Sequence, residues 1–316
     1  MVEITTDNET PTGLTKPWGV IHCPVTPMDE AGNILYDQLP EFVSFGVDAG
    51  VDGIMSCATT AEFASMTFEE WQEVTVTTIE ASGDLPVFCN VTGESFQKTK
   101  RMATFAEEQG ADGIVCSNPY YWLYNDYQSN LQEFYRELAV AVDVGISIYN
   151  YPIRTKNNLT PGSLIRLVAD DDIDNIVGMK ESNPDLHEMM AKLRLTDGID
   201  QFNVGIGANT FFPLCMAGLD TAWCVTTNMD PELIVDLWQA CRKNDWGRAW
   251  QLQQKAARLL GILFTQDYPA KIKAALDLLG RSAGPPRSPI YPISDDRRDE
   301  LTRKLRELGY ELPGAS

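Results

Sequence analysis

The segment "NIVGMKESNPD", residues 175–185, contains a lysine at the end of a short apolar run. Lys180 is followed at once by Glu181 and Ser182, so a run with the character of a buried strand finishes in an amine. Partial burial lowers the pKa of an amine, and the neutral amine attacks a ketone to form an imine. A lysine in this place can equally pack its stem and extend its ammonium into water. Its position alone leaves both interpretations open.

A tyrosine and an arginine follow another apolar run, in "GISIYNYPIRT". The phenol of Tyr149 can carry protons to and from an imine carbon or a leaving oxygen, although a lone tyrosine more often caps a core. The guanidinium of Arg154 can clamp a substrate carboxylate through two parallel hydrogen bonds. The alternative for Arg154 is a solvated loop residue that pairs with one of the many acids in the chain.

Two adjacent threonines, Thr59 and Thr60, lie in "MSCATTAEF" after a third apolar run. Their hydroxyls and backbone N–H groups can hold a small carboxylate, as turn amides do where a loop enters a helix. The pair can equally be an ordinary helix N-cap.

Aromatic residues are dense in the loop "SNPYYWLYNDY", which includes Tyr121 and Trp122. Such a loop is typical either of a substrate wall or of a contact between subunits. Trp223 lies inside a different apolar run, where it either fills a protein interior or lines a pocket near the end of its strand.

Secondary-structure elements must bring these residues together. The sequence predicts eight strands that alternate with helices. The predicted strands are residues 19–23, 53–56, 87–91, 113–117, 145–149, 176–180, 202–206 and 221–225. Segments with helical periodicity lie between most of them. This order predicts a (β/α)8 barrel, a TIM barrel, in which functional residues gather at the carboxyl ends of the strands. A doubly wound open sheet is the alternative, but no glycine-rich phosphate turn follows the first strand.

After residue 225 the pattern becomes helical, with no further strand. We therefore expect a flexible N-terminal tail over residues 1–15, a catalytic barrel over 16–236 and a C-terminal helical extension over 237–316.

The composition excludes several classes of protein. The net charge is −20, from 45 acidic and 25 basic residues, which argues against a nucleic-acid partner. No apolar run approaches the length of a membrane span, and the N-terminus lacks a secretion signal, so we expect a cytoplasmic protein. Seven widely spaced cysteines and two histidines predict free thiols and no metal site.

Several of these motifs occur in a specific order. "VTPMDEAGN" follows the first strand, "TT.E" the second, "NPYY" the fourth and "YN.P.RT" the fifth, and "G.KES" ends the sixth. Together they resemble the dihydrodipicolinate synthase / N-acetylneuraminate lyase family, from about Trp18 to the C-terminal helices. The resemblance implies a (β/α)8 barrel with a helical tail, commonly a homotetramer. It also implies a class I aldolase or lyase that binds pyruvate or a 2-oxo acid as a lysine Schiff base, without metal or organic cofactor.

The resemblance also implies a role for each matching residue. Lys180 corresponds to the Schiff-base lysine, and Tyr149 to the tyrosine that relays protons to the imine and the aldehyde oxygen. Thr59 and Thr60 correspond to the pair that holds the pyruvate carboxylate and links the tyrosines. Tyr121 corresponds to an aromatic residue that the synthase branch inserts across a subunit interface.

The sequence also departs from the family pattern. Ala58 and Ala61 stand where the family usually has glycines around the threonine pair, Trp223 replaces a small aliphatic residue, and Trp122 replaces a smaller polar one. Arg154, in contrast, matches the arginine that receives the carboxylate of the second substrate in the synthase branch.

The expected partners are therefore a small-molecule 2-oxo acid and an aldehyde. The two tryptophans favour a hydratase-aldolase acting on an aromatic 2-oxo acid. Arg154 favours the alternative, a 4-hydroxy-tetrahydrodipicolinate synthase that joins pyruvate to aspartate semialdehyde. A 2-keto-3-deoxy sugar acid aldolase or dehydratase is a further alternative. The non-enzymatic alternative is a pseudoenzyme that only binds a 2-oxo acid.

Overall fold

The computed structural model describes residues 8–124, 126–207, 211–265 and 267–315. Eight strands follow one another in chain order around a closed barrel. They are β1 (Gly19–His22), β2 (Gly53–Ser56), β3 (Val87–Asn90), β4 (Gly113–Ser117), β5 (Gly145–Asn150), β6 (Ile176–Glu181), β7 (Asn203–Gly207) and β8 (Thr221–Cys224). The predicted (β/α)8 barrel is confirmed.

Several helices of the described residues begin at residues that cap them through a side-chain hydrogen bond. Thr67 and Glu70 form a reciprocal capping box, and Ser95, Thr160 and Asp185 accept hydrogen bonds from the first turns of their helices. The α-helices are α1 (Leu39–Asp48), α2 (Phe68–Ala81), α3 (Phe96–Glu108), α4 (Gln128–Ala141), α5 (Pro152–Thr155), α6 (Pro161–Val168), α7 (Leu186–Thr196), α8 (Phe211–Cys215), α9 (Pro231–Arg242), α10 (Trp246–Leu263), α11 (Tyr268–Leu278) and α12 (Asp295–Glu307).

The chain divides into two compact units. The first comprises the described parts of residues 1–21 and 86–223, and the second comprises residues 22–85 and the described parts of 224–316. Residues 1–7 of the predicted tail lie outside the described residues, whereas Glu9 and Thr15 form an isolated antiparallel bridge.

In the first unit, strands β4 to β8 pair in parallel, and their register sets which side chains are neighbours. Tyr149 on β5 pairs with Lys180 on β6, and the next residues, Asn150 and Glu181, pair with each other. Because side chains alternate between the two faces of a strand, these successive pairs point to opposite faces of the barrel wall.

Trp223 is almost completely buried, at 1% relative exposure, and its ring meets Phe88 edge to face at 5.6 Å. Gly205 on the neighbouring strand provides the room, because a Cβ atom there would lie 2.5 Å from Trp223 Nε1. The absence of a side chain at residue 205 therefore lets the barrel accommodate an indole.

In the second unit, helices α9 and α10 pack together, and α11 packs against the 3-10 turn Thr59–Ala61. Across the part of the chain that the structure describes, no helix is long and apolar enough to cross a membrane.

Candidate active site

Lys180 and Tyr149 form the centre of the candidate site. Their side chains have relative exposures of only 4% and 5%. Lys180 Nζ lies 4.6 Å from the centre of the Tyr149 ring. The amine is therefore held against an aromatic face instead of extending into water, which favours the chemical interpretation of this lysine.

Trp223 supplies a second aromatic face to the same amine. Lys180 Nζ lies 5.6 Å from the centre of the Trp223 ring. The faces of aromatic rings attract cations, and tryptophan does so most strongly. A positively charged nitrogen in this position, whether ammonium or protonated imine, is stabilised by both rings.

Tyr151 is a neighbour that the sequence interpretation missed. Its ring stacks on Tyr149 at 5.5 Å with an angle of 22° between the ring planes. Burial and the neighbouring Tyr149 raise the pKa of Tyr151, while a hydrogen bond from the Arg154 side chain and the charge of Lys180 oppose the rise. The spacing in "YNYP" was the available signal, because residues i and i+2 face the same way along an extended chain.

Behind the site, on the other face of the strands, lies a buried ion pair. Glu181 and Lys192, from β6 and α7, are both fully buried, and 2.5 Å separates Glu181 Oε2 from Lys192 Nζ. The Asn150 side-chain amide donates to both oxygens of Glu181 at 3.0 Å, and the Asn183 backbone N–H donates to Oε1 at 2.6 Å. The Glu181 carboxylate thus has an ion-pair partner and accepts hydrogen bonds from two further groups, as a buried charge requires.

The same polar network continues to a third strand end. Asn118 donates to Asn150 Oδ1 at 2.7 Å, and the Tyr135 hydroxyl donates to Asn118 Oδ1 at 2.9 Å. The backbone N–H of Leu159 also donates to Asn150 Oδ1, at 2.9 Å. Asn150 therefore ties the end of β5 to the end of β6 and to the loop after β4.

Thr59 and Thr60 lie in the second unit, on the 3-10 turn that follows β2. The turn is flanked by two non-glycine residues in the left-handed region, Cys57 at φ 51° and Glu62 at φ 63°. Ala58, in contrast, has φ −63°, so its added methyl brings no backbone strain. That the two threonines hold a substrate carboxylate stays a prediction.

Glu62 anchors this turn to the C-terminal helices. It forms a buried ion pair with Lys273 of α11 at 2.7 Å, and it accepts the Arg287 backbone N–H at 2.8 Å. Burial lowers the pKa of Lys273, and the attraction of Glu62 opposes this shift. The ion pair thus fixes the Glu62 side chain and links this turn to α11.

Tyr121 and Trp122 are exposed on the loop between β4 and α4. Their relative exposures are 83% and 61%, and their rings meet edge to face at 5.4 Å. Arg154 is exposed at the end of α5. The structure therefore brings Tyr149 and Trp223 to Lys180 and connects Arg154 to Tyr149 through Tyr151, while Tyr121 and Trp122 face solvent.

Within the described ranges, no three or more histidine, cysteine, aspartate or glutamate side chains are grouped so as to hold a metal ion. The seven cysteines all lie in the described residues and form no disulfide, and Cys215 is the one that is partly exposed.

Comparisons with known proteins agree on one family. The model of the "Dihydrodipicolinate synthetase family" matches residues 16–308. A 4-hydroxy-tetrahydrodipicolinate synthase of Methanopyrus kandleri is 32% identical over 92% of this chain and 96% of its own length. The solved dihydrodipicolinate synthase of Aquifex aeolicus is 28% identical and superimposes with a TM-score of 0.87 over 94% of this chain and 99% of that one. A solved monomeric dihydrodipicolinate synthase variant is 29% identical, with a TM-score of 0.87, and the match covers 93% of this chain and 97% of that one.

Proposed function

Because the chain belongs to the dihydrodipicolinate synthetase family, we propose that Lys180 is its Schiff-base nucleophile and that pyruvate is the substrate it binds. The chain is a class I pyruvate aldolase, a carbon–carbon lyase of the aldolase type. The observation that carries the assignment of Lys180 is its burial against the faces of Tyr149 and Trp223.

The proposed reaction begins with attack of the neutral Lys180 amine on the ketone carbon of pyruvate. Loss of water gives a protonated imine, whose positive nitrogen withdraws electrons from the neighbouring methyl group. Removal of a methyl proton gives an enamine, which attacks the carbonyl carbon of an aldehyde. The alkoxide that forms takes up a proton, and water releases the product from Lys180. Cleavage runs through the same steps in reverse.

Tyr149 is proposed to carry the protons of these steps. Its ring lies against Lys180 Nζ, so its phenol belongs to the immediate surroundings of the imine. Thr59 is proposed to orient Tyr149, and Thr60 to bind the pyruvate carboxylate, as the family resemblance implies. No metal or organic cofactor enters this scheme, because the protonated imine itself acts as the electron sink.

The second substrate is proposed to be a short aldehyde that carries a carboxylate, such as aspartate semialdehyde. Arg154 supports this, because it hydrogen-bonds to Tyr151, which stacks on Tyr149. An arginine in such a position suits bidentate recognition of a carboxylate. The names of relatives such as the Methanopyrus kandleri enzyme, a 4-hydroxy-tetrahydrodipicolinate synthase, agree with this choice.

A hydratase-aldolase acting on an aromatic 2-oxo acid is the second candidate. The three rings of Tyr149, Tyr151 and Trp223 close to Lys180 favour it, because an aromatic substrate packs well against such faces. However, Trp223 is in edge-to-face contact with Phe88 and is nearly fully buried, and Trp122 faces solvent. These contacts give the aromatic substrate less support than Arg154 gives the acidic one.

Reductive trapping tests the nucleophile. Incubation with pyruvate and borohydride should add one reduced pyruvate to wild-type protein, on the peptide that contains Lys180. Lys180→Arg should give no adduct while keeping its melting temperature. Lys192→Arg, on α7, is the comparison variant, and it should still form the adduct because it retains Lys180. An adduct on another lysine, or none in the wild type, contradicts the proposed mechanism.

Turnover assays then separate the substrates. We expect pyruvate to be consumed with aspartate semialdehyde and little release of pyruvate from arylidene pyruvates or 2-keto-3-deoxy sugar acids. Turnover of arylidene pyruvates alone would establish the second candidate instead. Trapping without turnover of any substrate would identify a pseudoenzyme that binds 2-oxo acids.

A further inference from the structure

Tyr151 occupies a place between the proposed nucleophile and the exposed arginine. We propose that Tyr151 is a positioning residue that sets the preference of this site for anionic aldehydes: its ring supports Tyr149, and its hydroxyl holds the Arg154 guanidinium toward the second substrate. The inference rests on the proposed function and adds to it a residue through which Arg154 and Tyr149 act together.

The backbone fixes Tyr151 firmly. It is the N-cap of the short helix α5, and Pro152, the first residue of that helix, restricts the backbone of the residue before it. The Tyr151 carbonyl accepts the backbone N–H groups of Arg154 and Thr155, both at 3.0 Å, and the Thr155 hydroxyl at 3.1 Å. With a relative exposure of 6%, its ring is buried against Tyr149.

The phenol of Tyr151 is chemically suited to hold an arginine without neutralising it. Burial and Tyr149 raise the pKa of Tyr151, so its hydroxyl stays protonated near neutral pH. A neutral oxygen can accept a hydrogen bond from the Arg154 guanidinium and leave its positive charge available. A carboxylate in the same place would cancel that charge.

The contact also reduces the freedom of a long side chain. An exposed arginine samples many rotamers and loses that entropy when it binds a ligand. A hydrogen bond to a fixed phenol restricts the guanidinium in advance, so less entropy is lost on binding. The benefit applies only to a substrate that carries an anionic group.

The order of the groups matches the shape of such a substrate. Lys180 lies against Tyr149, Tyr149 stacks on Tyr151, and Tyr151 bonds to Arg154. An aldehyde whose reactive carbon meets the enamine near Tyr149 has its distant carboxylate directed toward Arg154. Tyr151 thus couples the reacting end to the recognition end of the site.

Tyr151→Phe tests this inference, because it removes the hydroxyl and keeps the ring. We expect the KM for aspartate semialdehyde to rise about tenfold or more, as for the loss of a hydrogen bond to a charged group. The KM for pyruvate, the borohydride adduct on Lys180 and any turnover of butanal, an uncharged aldehyde, should stay unchanged. Tyr151→Leu should also lower kcat, because it removes the ring that supports Tyr149.

Three controls complete the experiment. Tyr291→Phe changes an exposed tyrosine and should leave both KM values unchanged. In an Arg154→Met background, Tyr151→Phe should have no further effect on the KM for aspartate semialdehyde. Melting temperatures of all variants show whether a loss reflects unfolding.

The outcomes distinguish the inference from the function it rests on. If the wild type forms no adduct on Lys180, the proposed function is wrong. If the adduct forms but Tyr151→Phe leaves the KM for aspartate semialdehyde unchanged, or raises the KM for charged and uncharged aldehydes equally, the role given to Tyr151 is wrong. If the wild type forms the adduct and uses no anionic aldehyde, both the acidic second substrate and the inference are wrong.

Discussion

At the scale of single residues, the alternation of side chains along β6 separates two lysine environments. Lys180 faces the rings of Tyr149 and Trp223, whereas Glu181, the next residue, faces the other way and is paired with Lys192. The carboxylate adjacent in sequence is therefore engaged with a different lysine. A site that needs a neutral amine benefits from this separation, because a carboxylate directly beside Lys180 would favour its charged form.

His22 gives a prediction at the same scale. It is fully buried, with its ring nitrogens 2.6 Å from the Thr227 hydroxyl and 3.0 Å from the Phe42 carbonyl oxygen. Burial lowers the pKa of His22 from 6.5 to about 4. Between pH 6.5 and about pH 4, His22 is therefore protonated in the unfolded chain but neutral in the folded chain. The free energy of unfolding falls as the pH is lowered through this range. At pH 5 this one group removes about 2 kcal/mol from the free energy of unfolding.

Urea unfolding at pH 7.5 and pH 5 measures this effect. His22→Gln should be less stable than the wild type at pH 7.5 and should lose less stability between the two pH values. His187→Gln is the matched control, because His187 is the other histidine and is exposed. An equal pH dependence in His22→Gln and the wild type would show that His22 does not titrate as described.

At the scale of elements, apolar runs located the strands well, but they ended three of them, β5, β6 and β7, one residue too early. β5 and β6 each extend one residue beyond the predicted end, to Asn150 and Glu181. Both residues are polar, and they are buried because they bond to each other. Hydrophobicity cannot predict a buried polar residue when its partner is on another strand. Hydrophobicity likewise could not predict whether Lys180 is buried, because the ring that it contacts, that of Tyr149, belongs to another strand.

The ion pair between β6 and α7 leads to a prediction on stability. Lys192→Met removes the cation and leaves the Glu181 carboxylate buried, so we expect a loss of about 3–5 kcal/mol in the free energy of unfolding. Adding Glu181→Gln to this variant should restore part of the loss, because it removes the uncompensated charge. Denaturant unfolding measures all three proteins.

The exposed pair Asp236–Arg248 is the control for this comparison. Because exposed ion pairs contribute little, Arg248→Met should change the free energy of unfolding by less than about 1 kcal/mol. If Lys192→Met is no more damaging than Arg248→Met, the buried pair does not have the structural importance inferred from its burial.

The contact between α11 and the turn after β2 leads to a second prediction for elements. The left-handed conformation of Glu62 costs about 1–2 kcal/mol, and the buried pair with Lys273 opposes that cost. Lys273→Met should loosen the turn that carries Thr59 and Thr60. We therefore expect a lower melting temperature and a higher pyruvate concentration for half-maximal trapping on Lys180.

Lys304→Met, on the exposed face of α12, is the control and should leave both measurements unchanged. Trapping by Lys273→Met at the wild-type pyruvate concentration would show that the turn does not depend on the ion pair. If Thr59→Ala and Thr60→Ala also form the adduct at the wild-type pyruvate concentration, the proposed role of the two threonines is weakened as well.

At the scale of the whole molecule, the exposed aromatic loop and the net charge have opposite effects on assembly. Tyr121, Trp122, Leu123 and Tyr127 present a cluster of large apolar side chains, with relative exposures from 61% to 83%. Such a cluster is costly to leave in water and favours a contact with another subunit. The net charge of −20 favours separation, because like-charged subunits repel each other until salt screens them.

The predicted homotetramer therefore should depend on salt and on this loop. We expect light scattering after size exclusion to give a tetramer at high ionic strength and a shift toward smaller species at low ionic strength. Trp122→Ser should weaken assembly under both conditions, because it removes the largest side chain of the cluster, whereas Trp250→Ser, at another exposed tryptophan on α10, is the comparison variant. A wild-type protein that is monomeric at every ionic strength would place it with the monomeric relative. Tyr121 would then have no subunit to reach, and the second phenol beside Tyr149 would be Tyr151 of the same chain.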